Sequence, residues 1–87
     1  MGWKIEFFET ASKQFRKLDR QWQIKILSYL EEILSLQDPR QRGKALTGKK
    51  SGLWRYRVGD YRVICEIQGQ ALRILVLEIG HRKNVYD

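Results

Sequence analysis

Three arginines lie close together in the stretch Leu53–Val63, at a spacing that could hold an anion. The stretch reads LWRYRVGDYRV, and its arginines are Arg55, Arg57 and Arg62. A guanidinium stays charged at ordinary pH, so it can bind a phosphate or carboxylate and stabilise negative charge that develops during a reaction. The alternation of apolar and basic residues indicates strands, and Gly59-Asp60 is typical of a two-residue type II′ turn. The stretch therefore predicts a β-hairpin that carries an anion site.

The predicted hairpin register places all three arginines on one face. A two-residue turn pairs Val58 with Tyr61 and Arg57 with Arg62. Because side chains alternate between faces, Arg55 shares that face, while the aromatic and β-branched residues face the core. Like charges in directly opposed positions destabilise a sheet by roughly 0.2–1 kcal/mol. We interpret the opposed arginines as a phosphate or carboxylate site, with an ordinary solvated face as the alternative.

The C-terminal residues His81, Arg82 and Tyr86 are further candidates for chemistry. The last strand is predicted to end near Gly80, beside the hairpin turn, so these residues should emerge close to Arg62. Histidine has an unperturbed pKa suited to proton transfer near neutrality. Cleavage of RNA by its own 2′-hydroxyl needs such transfers, together with fixed positive charge. The alternatives are a histidine that is incidental at a strand end and a tyrosine that completes the core rather than stacking on a base.

The segment 40–52 forms a predicted basic loop. It contains several cations and glycines but no acidic residue, and its lysines are Lys44, Lys49 and Lys50. Clustered lysines of this kind are typical of contacts with nucleic-acid phosphates. We therefore predict that the three lysines help Arg55 and Arg57 to bind RNA.

Apolar residues are predicted beside the arginines on the same open face. A two-residue turn at Gly69-Gln70 would pair Ile64 with Leu75 and Arg62 with Leu77. On the core side it would pair Val63 with Val76 and Cys65 with Ile74. An apolar patch on a small protein suggests a protein partner. An acidic amphipathic segment would match Ile64, Leu75 and Leu77 as well as Arg57.

The elements that must position these residues follow from the hydrophobic pattern. We predict strands at 3–8, 53–58, 61–68 and 71–80, and helices at 11–18 and 20–36, with Thr10 as a cap and Asp38-Pro39 as a terminator. The order β-α-α-β-β-β predicts an α+β fold. Two N-terminal helices would pack on one face of a mostly antiparallel four-stranded sheet. Residues 1–87 would form a single domain.

The composition narrows the function classes. The 87 residues carry a formal net charge of +7 with a pI near 9.9, which favours polyanions or an acidic protein as partners. The lone cysteine, Cys65, excludes an internal disulfide and a cysteine-rich metal site. No signal peptide or membrane span is recognisable, and no cofactor or metal is expected. We expect a cytoplasmic protein.

The order of elements, the phrase LWRYRVGDYRVICEI and the closing IGHRKNVY resemble the RelE/ParE superfamily of bacterial toxins from toxin–antitoxin pairs. The superfamily contains RelE-like endonucleases that cleave mRNA on the 70S ribosome and ParE-like inhibitors of DNA gyrase, so the fold alone does not decide the activity. The resemblance implies a cognate antitoxin as partner, with DNA bound only through the antitoxin complex.

The RelE resemblance also implies roles for individual residues. Arg55 and Arg57 match basic residues that contact the mRNA backbone, although RelE members carry lysines there. Arg62 matches an arginine that stabilises the transition state, while Arg82 and Tyr86 match C-terminal groups near the scissile phosphate. His81 replaces another basic residue of that lineage. These matches favour a metal-independent endoribonuclease, with a gyrase inhibitor and a non-catalytic nucleic-acid-binding module as the alternatives.

Overall fold

The computed structural model describes residues 2–81 of the chain. Its strands are β1 (Lys4–Phe7), β2 (Lys44–Ala45), β3 (Trp54–Val58), β4 (Tyr61–Gln68) and β5 (Arg73–His81), and its helices are α1 (Glu9–Arg16) and α2 (Arg20–Leu34). The strands form one sheet in the order β1-β5-β4-β3-β2. β1 runs parallel to β5, and the other neighbours are antiparallel. The predicted α+β class and the order of the predicted elements are confirmed.

The number of strands differs from the prediction, because the basic loop contributes a fifth one. β2 pairs with β3 through Lys44 opposite Arg55 and Ala45 opposite Trp54. A strand of two residues is too short to show the alternation by which strands are recognised. Its pairing is set by the neighbouring strand, so the expectation of four strands is wrong.

The two helices cover one face of the sheet, as predicted. Ile26, Leu30 and Ile33 of α2 are buried at helical spacing against the strands. The strands contribute a matching set of buried residues to this core: Tyr56, Val58, Val63, Cys65, Ile74, Val76 and Ile79. Ala11 of α1 is also fully buried. We call the sheet face away from the helices the open face.

The helix ends differ from the prediction by two residues. α1 begins at Glu9 and places Thr10 inside the helix, with Phe8 at the N-cap and no side-chain cap. α2 ends at Leu34 rather than Leu36. Asp38 caps the short turn Pro39–Gln41, where its side chain accepts a hydrogen bond of 2.9 Å from the backbone of Arg40.

The register between β4 and β5 differs from the prediction at two points. The connection after β4 is longer than two residues, because Gly69–Ala71 forms a 3₁₀ turn and Leu72 takes a left-handed φ of 51°. Cys65 consequently pairs with Val76 and Val63 with Ile79, so the predicted pairs of these residues with Ile74 and Val76 are wrong.

A bulge in β5 accounts for the second difference. Ile64 pairs with Glu78 but the next residue, Cys65, pairs with Val76, which leaves Leu77 as an extra residue. Uninterrupted alternation from Val76 would turn Glu78 toward the core. The bulge instead puts Glu78 opposite Ile64 on the open face and buries Ile79, which is 2% exposed.

Candidate nucleic-acid interface

The hairpin that carries the arginines has the predicted register. The β3–β4 pairs are Trp54–Cys65, Arg55–Ile64, Tyr56–Val63, Arg57–Arg62 and Val58–Tyr61. Gly59 in the turn has a positive φ of 59°, and Asp60 does not, as a type II′ turn requires. Trp22 of α2 packs so closely on this glycine that an added Cβ would lie 2.5 Å from the indole ring. The turn is therefore anchored to α2, and Arg57 and Arg62 lie directly opposite each other.

β2 adds a second pair of like charges to the open face. Lys44 lies opposite Arg55, so it shares a face with Arg55, Arg57 and Arg62. We call these four residues the cation face. Two adjacent like-charged pairs oppose folding, since opposed like charges are destabilising. The arrangement therefore concentrates positive charge where an anion would offset the repulsion.

The three arginines differ in their exposure. Arg55 is 9% exposed, which is unusual for a charged residue, whereas Arg57 is exposed. Arg62 is half-buried, and the Nε atoms of both Arg55 and Arg62 are shielded from solvent. The surrounding residues thus limit the positions that the side chains of Arg55 and Arg62 can adopt, while the Arg57 side chain extends into solvent.

A concavity of about 310 Å³ opens at the β2 end of the cation face. It is lined by Tyr29, Gly43, Lys44, Arg55 and Arg57. Gly43 has a φ of 84°, and a Cβ there would collide with the carbonyl oxygen of Arg55 and with the ring of Tyr56. Glycine therefore permits the close approach that brings Lys44 beside Arg55.

Tyr29 is a residue of this concavity that the sequence did not reveal. Its place in the apolar stripe of α2 predicts a core position, and its ring does contact Tyr56 edge-on at 5.9 Å. The same ring reaches the edge of the sheet, where the guanidinium of Arg42 lies 5.8 Å from its centroid. The hydrophobic pattern of a helix does not show whether a core side chain also reaches the surface, so the sequence could not place Tyr29 in the concavity.

The segment between β2 and β3 covers part of the open face. Leu46, Leu53 and Ile64 form a small apolar cluster there, and Ile64 is only 1% exposed. The expectation that Ile64 belongs to an exposed patch is therefore wrong. Leu75 and Leu77 are half-buried and keep part of their surface in solvent.

Lysines of the same segment reach the open face or the solvent. Lys50 forms an ion pair of 3.7 Å with Glu78, while Lys49 is exposed in the turn Gly48–Lys50. The carboxylate of Glu78 lies on the same face as Arg62, two positions from its partner Gly80. The sequence analysis missed Glu78, because only the bulge turns it toward this face.

The structure separates His81 from the arginines. His81 pairs with Tyr61, and the two rings meet edge-on with centroids 5.5 Å apart. Tyr61 in turn packs against Trp22 on the helix side of the sheet, at 4.8 Å. Arg62 follows Tyr61 in the strand and points to the opposite face. Arg82 and Tyr86 lie outside the described residues.

Two further features bear on the possible chemistry. Within residues 2–81, no cluster of three or more His, Cys, Asp or Glu side chains could hold a metal ion. Burial raises the pKa of the Cys65 thiol, so the thiolate needed for nucleophilic attack is disfavoured. In the same part of the chain, no helix has the length and apolar character to span a membrane.

Comparisons with known proteins give the family. A family model described as the ParE toxin of the type II toxin–antitoxin system parDE matches residues 5–86. Toxin RelG of Mycobacterium tuberculosis is 26% identical over 86 residues, which span 99% of this chain and 98% of the relative.

Solved structures of toxin–antitoxin complexes share the fold. The toxin–antitoxin complex RelBE2 from Mycobacterium tuberculosis matches with a TM-score of 0.84 and 21% identity, over 97% of this chain and 95% of the other. The RelB–RelE antitoxin–toxin complex from Methanococcus jannaschii matches with a TM-score of 0.70 and 28% identity, over 93% and 94%. The family match covers nearly the whole chain, including β2 through β5, the cation face and all of β1 except Lys4. The chain therefore belongs to the ParE toxin family of type II toxin–antitoxin systems, within the RelE/ParE superfamily.

Proposed function

We propose that this toxin is an endoribonuclease that cleaves mRNA on the ribosome and so inhibits translation. The observation that carries the proposal is the cation face, on which Lys44 opposes Arg55 and Arg57 opposes Arg62. The RNA backbone is the polyanion that such a face would bind on a ribosome. Lys49 and Lys50 would extend the contact to neighbouring phosphates.

The proposed reaction is a transesterification at phosphorus. The ribose 2′-oxygen loses its proton and attacks the adjacent phosphate, the bond to the 5′-oxygen breaks, and that oxygen takes up a proton. The products are a 2′,3′-cyclic phosphate and a 5′-hydroxyl end. Arg62 would hold the phosphate oxygens as their charge increases, since its half-buried guanidinium is restricted in position. Arg57 and Arg55 would orient the backbone.

The ribosome is proposed to supply the alignment of the substrate. His81 contacts Tyr61 on the helix side, so its imidazole is not directed at a phosphate bound by Arg62. Alignment of the 2′-hydroxyl with the leaving oxygen contributes to the rate without a dedicated base. We assign Arg82 a role as further fixed positive charge near the phosphate, and retain Tyr86 and His81 as the candidates for proton transfer.

An antitoxin is the proposed protein partner. Solved relatives are complexes of RelE with RelB. We propose that an acidic amphipathic segment of the antitoxin contacts Arg57 and the exposed parts of Leu75 and Leu77, which would block the cation face. Contact with DNA would occur only through the antitoxin complex, and a cytoplasmic location follows from the ribosomal target.

Translating ribosomes provide the test. We expect the purified toxin to produce new mRNA 5′ ends within translated codons, and Arg62→Ala to abolish them while the thermal unfolding transition is retained. Arg16→Ala is the matched control, since Arg16 is an exposed arginine on α1, away from the cation face. Intact mRNA in the presence of a toxin preparation that stops growth would refute the nuclease.

Gyrase inhibition is the second candidate function. It is favoured by the match to the ParE family model and by the orientation of His81 away from the arginines. A supercoiling assay with purified gyrase separates the two, because a nuclease would leave supercoiling unchanged. Binding of nucleic acid without either effect would indicate a non-catalytic module.

A further inference from the structure

The outer side of α2 carries four exposed residues in one row. Arg20, Ile24, Leu27 and Glu31 follow each other at intervals of four, three and four residues. Successive helical residues turn by 100°, so the four side chains fall within a sector of about 60°. Ile24 is 54% exposed and Leu27 is 43% exposed. We call this row the α2 seam.

The α2 seam is not needed for the core of the toxin. The side chains that α2 buries are Ile26, Leu30 and Ile33, and they lie on another side of the helix. A spacing of four, three and four residues is that of the a and d positions along the contact line of a coiled coil. Ile24 and Leu27 therefore form a short apolar contact line that the monomer leaves in water.

The charges at the two ends of the seam are opposite and symmetrically placed. Arg20 precedes Ile24 by four residues, and Glu31 follows Leu27 by four residues. When two copies of α2 meet antiparallel about a two-fold axis, Ile24 lies against Leu27 of the partner subunit. The same axis brings Arg20 against Glu31 of the partner subunit. Each contact occurs twice, as a two-fold interface requires.

We propose that the toxin associates with a second copy of itself through the α2 seam, with the two helices antiparallel. A parallel arrangement would oppose Arg20 with Arg20 and Glu31 with Glu31, which is repulsive. The antiparallel arrangement converts both contacts into ion pairs. The matched charge order is the reason for choosing a second copy as the occupant, because the seam is complementary to itself.

Neighbouring charges on α2 do not disturb this arrangement. Lys25 lies over the ring of Trp22 at 4.7 Å, and Glu32 forms an ion pair of 2.8 Å with Arg42. Both side chains contact their own subunit. The two exposed apolar residues make a small contact, so the dimer is weak and dissociates on dilution, and a net charge of +7 on each copy opposes it further.

The geometry of the dimer keeps the functional face accessible. The helices cover one face of the sheet, and the cation face lies on the other. Association through the outer side of α2 therefore leaves two cation faces directed away from the contact. The proposal does not depend on the target of the toxin, since it concerns the opposite layer of the fold.

Sedimentation velocity over a concentration series tests the proposal with exchanged charges. Glu31→Arg should weaken dimerisation by about tenfold, because two ion pairs become two repulsive pairs. Arg20→Glu should weaken it to a similar extent. The double variant Arg20→Glu/Glu31→Arg restores both pairs with exchanged signs, so its dimerisation should return to that of the wild type. Leu27→Asp should abolish the dimer.

The control for Glu31→Arg is Glu9→Arg, which changes the net charge equally at an exposed position on α1. Thermal unfolding should show that all variants are folded. The proposal is overturned if the wild-type toxin is monomeric at every concentration, or if Glu31→Arg acts no more strongly than Glu9→Arg. The proposal is also overturned if the double variant fails to restore the dimer. It is likewise overturned if these variants change the affinity for the antitoxin but leave dimerisation unchanged.

Discussion

Arg57 extends into solvent from a position directly opposite Arg62, whereas Arg55 on the same strand is almost fully buried. Burial of a guanidinium is costly unless its surroundings compensate for the lost hydration. The fold therefore encloses much of Arg55 and Arg62 and leaves the side chain of Arg57 exposed. In the proposed function, Arg62 defines the place of the phosphate, while Arg55 and Arg57 orient the RNA backbone.

The strain in the opposed pair can be measured. Arg57→Ala should raise the free energy of unfolding by about 0.5 kcal/mol, since it removes the repulsion from Arg62. The corresponding rise in melting temperature is roughly 2–4 °C for a domain of this size. Arg57→Lys keeps the charge and is the control, with no expected gain. A lower melting temperature for Arg57→Ala would contradict the interpretation of the cation face as strained.

Tyr56 joins the core to the segment before β2. Its buried hydroxyl donates a hydrogen bond of 2.6 Å to the carbonyl oxygen of Pro39, and burial raises the pKa of Tyr56. Tyr56→Phe should lower the free energy of unfolding by about 1–2 kcal/mol, because the carbonyl loses its donor. Urea unfolding at neutral pH measures the loss.

The pH dependence of that loss follows from the direction of the pKa shift. A group whose pKa is raised on folding stabilises the protein below its unfolded pKa, which is about 10 for tyrosine. The difference between wild type and Tyr56→Phe should therefore be constant below pH of about 10 and shrink as the pH rises above it. A difference that grows in alkali would show that the hydroxyl is not the donor.

At the scale of the elements, the shortest strand decides the shape of the concavity. β2 holds Lys44 opposite Arg55, and Gly43 lets the chain pass close to β3. Trp54 stabilises this close approach of the two chain segments, since its indole N–H donates a hydrogen bond of 2.7 Å to the carbonyl of Arg42. The concavity therefore depends on backbone geometry next to β2 as much as on the cations themselves.

Gly43→Ala tests this dependence. The added Cβ would collide with the backbone of β3 as well as adopt an unfavourable φ, so the free energy of unfolding should fall by about 3 kcal/mol or more. Gly48→Ala is the matched control, because Gly48 also has a positive φ, 66°, but nothing lies within 4 Å of its Cβ position. We expect about 1 kcal/mol for the control, from backbone strain alone. Equal losses in urea unfolding would show that the close approach at Gly43 is unimportant.

At the scale of the whole molecule, the protein has both a net positive charge and a local cluster of cations on the cation face. The net charge of +7 attracts any polyanion, while Lys44, Arg55, Arg57 and Arg62 are neighbours on one face of the sheet. Displacement of counterions from RNA makes binding weaken with salt in proportion to the number of phosphates contacted. The salt dependence of RNA binding therefore distinguishes binding at the cation face from attraction by the net positive charge of the whole protein.

Anisotropy of a labelled RNA oligonucleotide measures that dependence. Four phosphate contacts predict a slope of about −3 in a plot of log affinity against log salt, and Arg57→Ala should reduce its magnitude by about 0.7. Arg16→Ala lowers the net charge equally but lies on α1 and should change the slope much less. Equal changes for the two variants would mean that RNA does not bind through the cation face.

The sequence determined the features that depend on short spacings. The two-residue turn at Gly59-Asp60 fixed the hairpin register, and with it the opposition of Arg57 and Arg62. Helical periodicity predicted the helix at 20–36, which the structure contains as α2, two residues shorter at its C-terminal end. These features need contacts only between residues that are close in the chain, so the local pattern contains the information.

Tertiary packing decided the remaining features of the site. Three of them bring together segments that are distant in the chain: the pairing of β2 with β3, the covering of Ile64 and the contact of His81 with Tyr61. The fourth is the bulge at Leu77, which shifts the alternation of side chains by one residue. Two residues in a strand, or one extra residue in a bulge, leave no periodic signal. Their positions are set by which arrangement best fills the core and pairs the backbone, and only the folded molecule determines that.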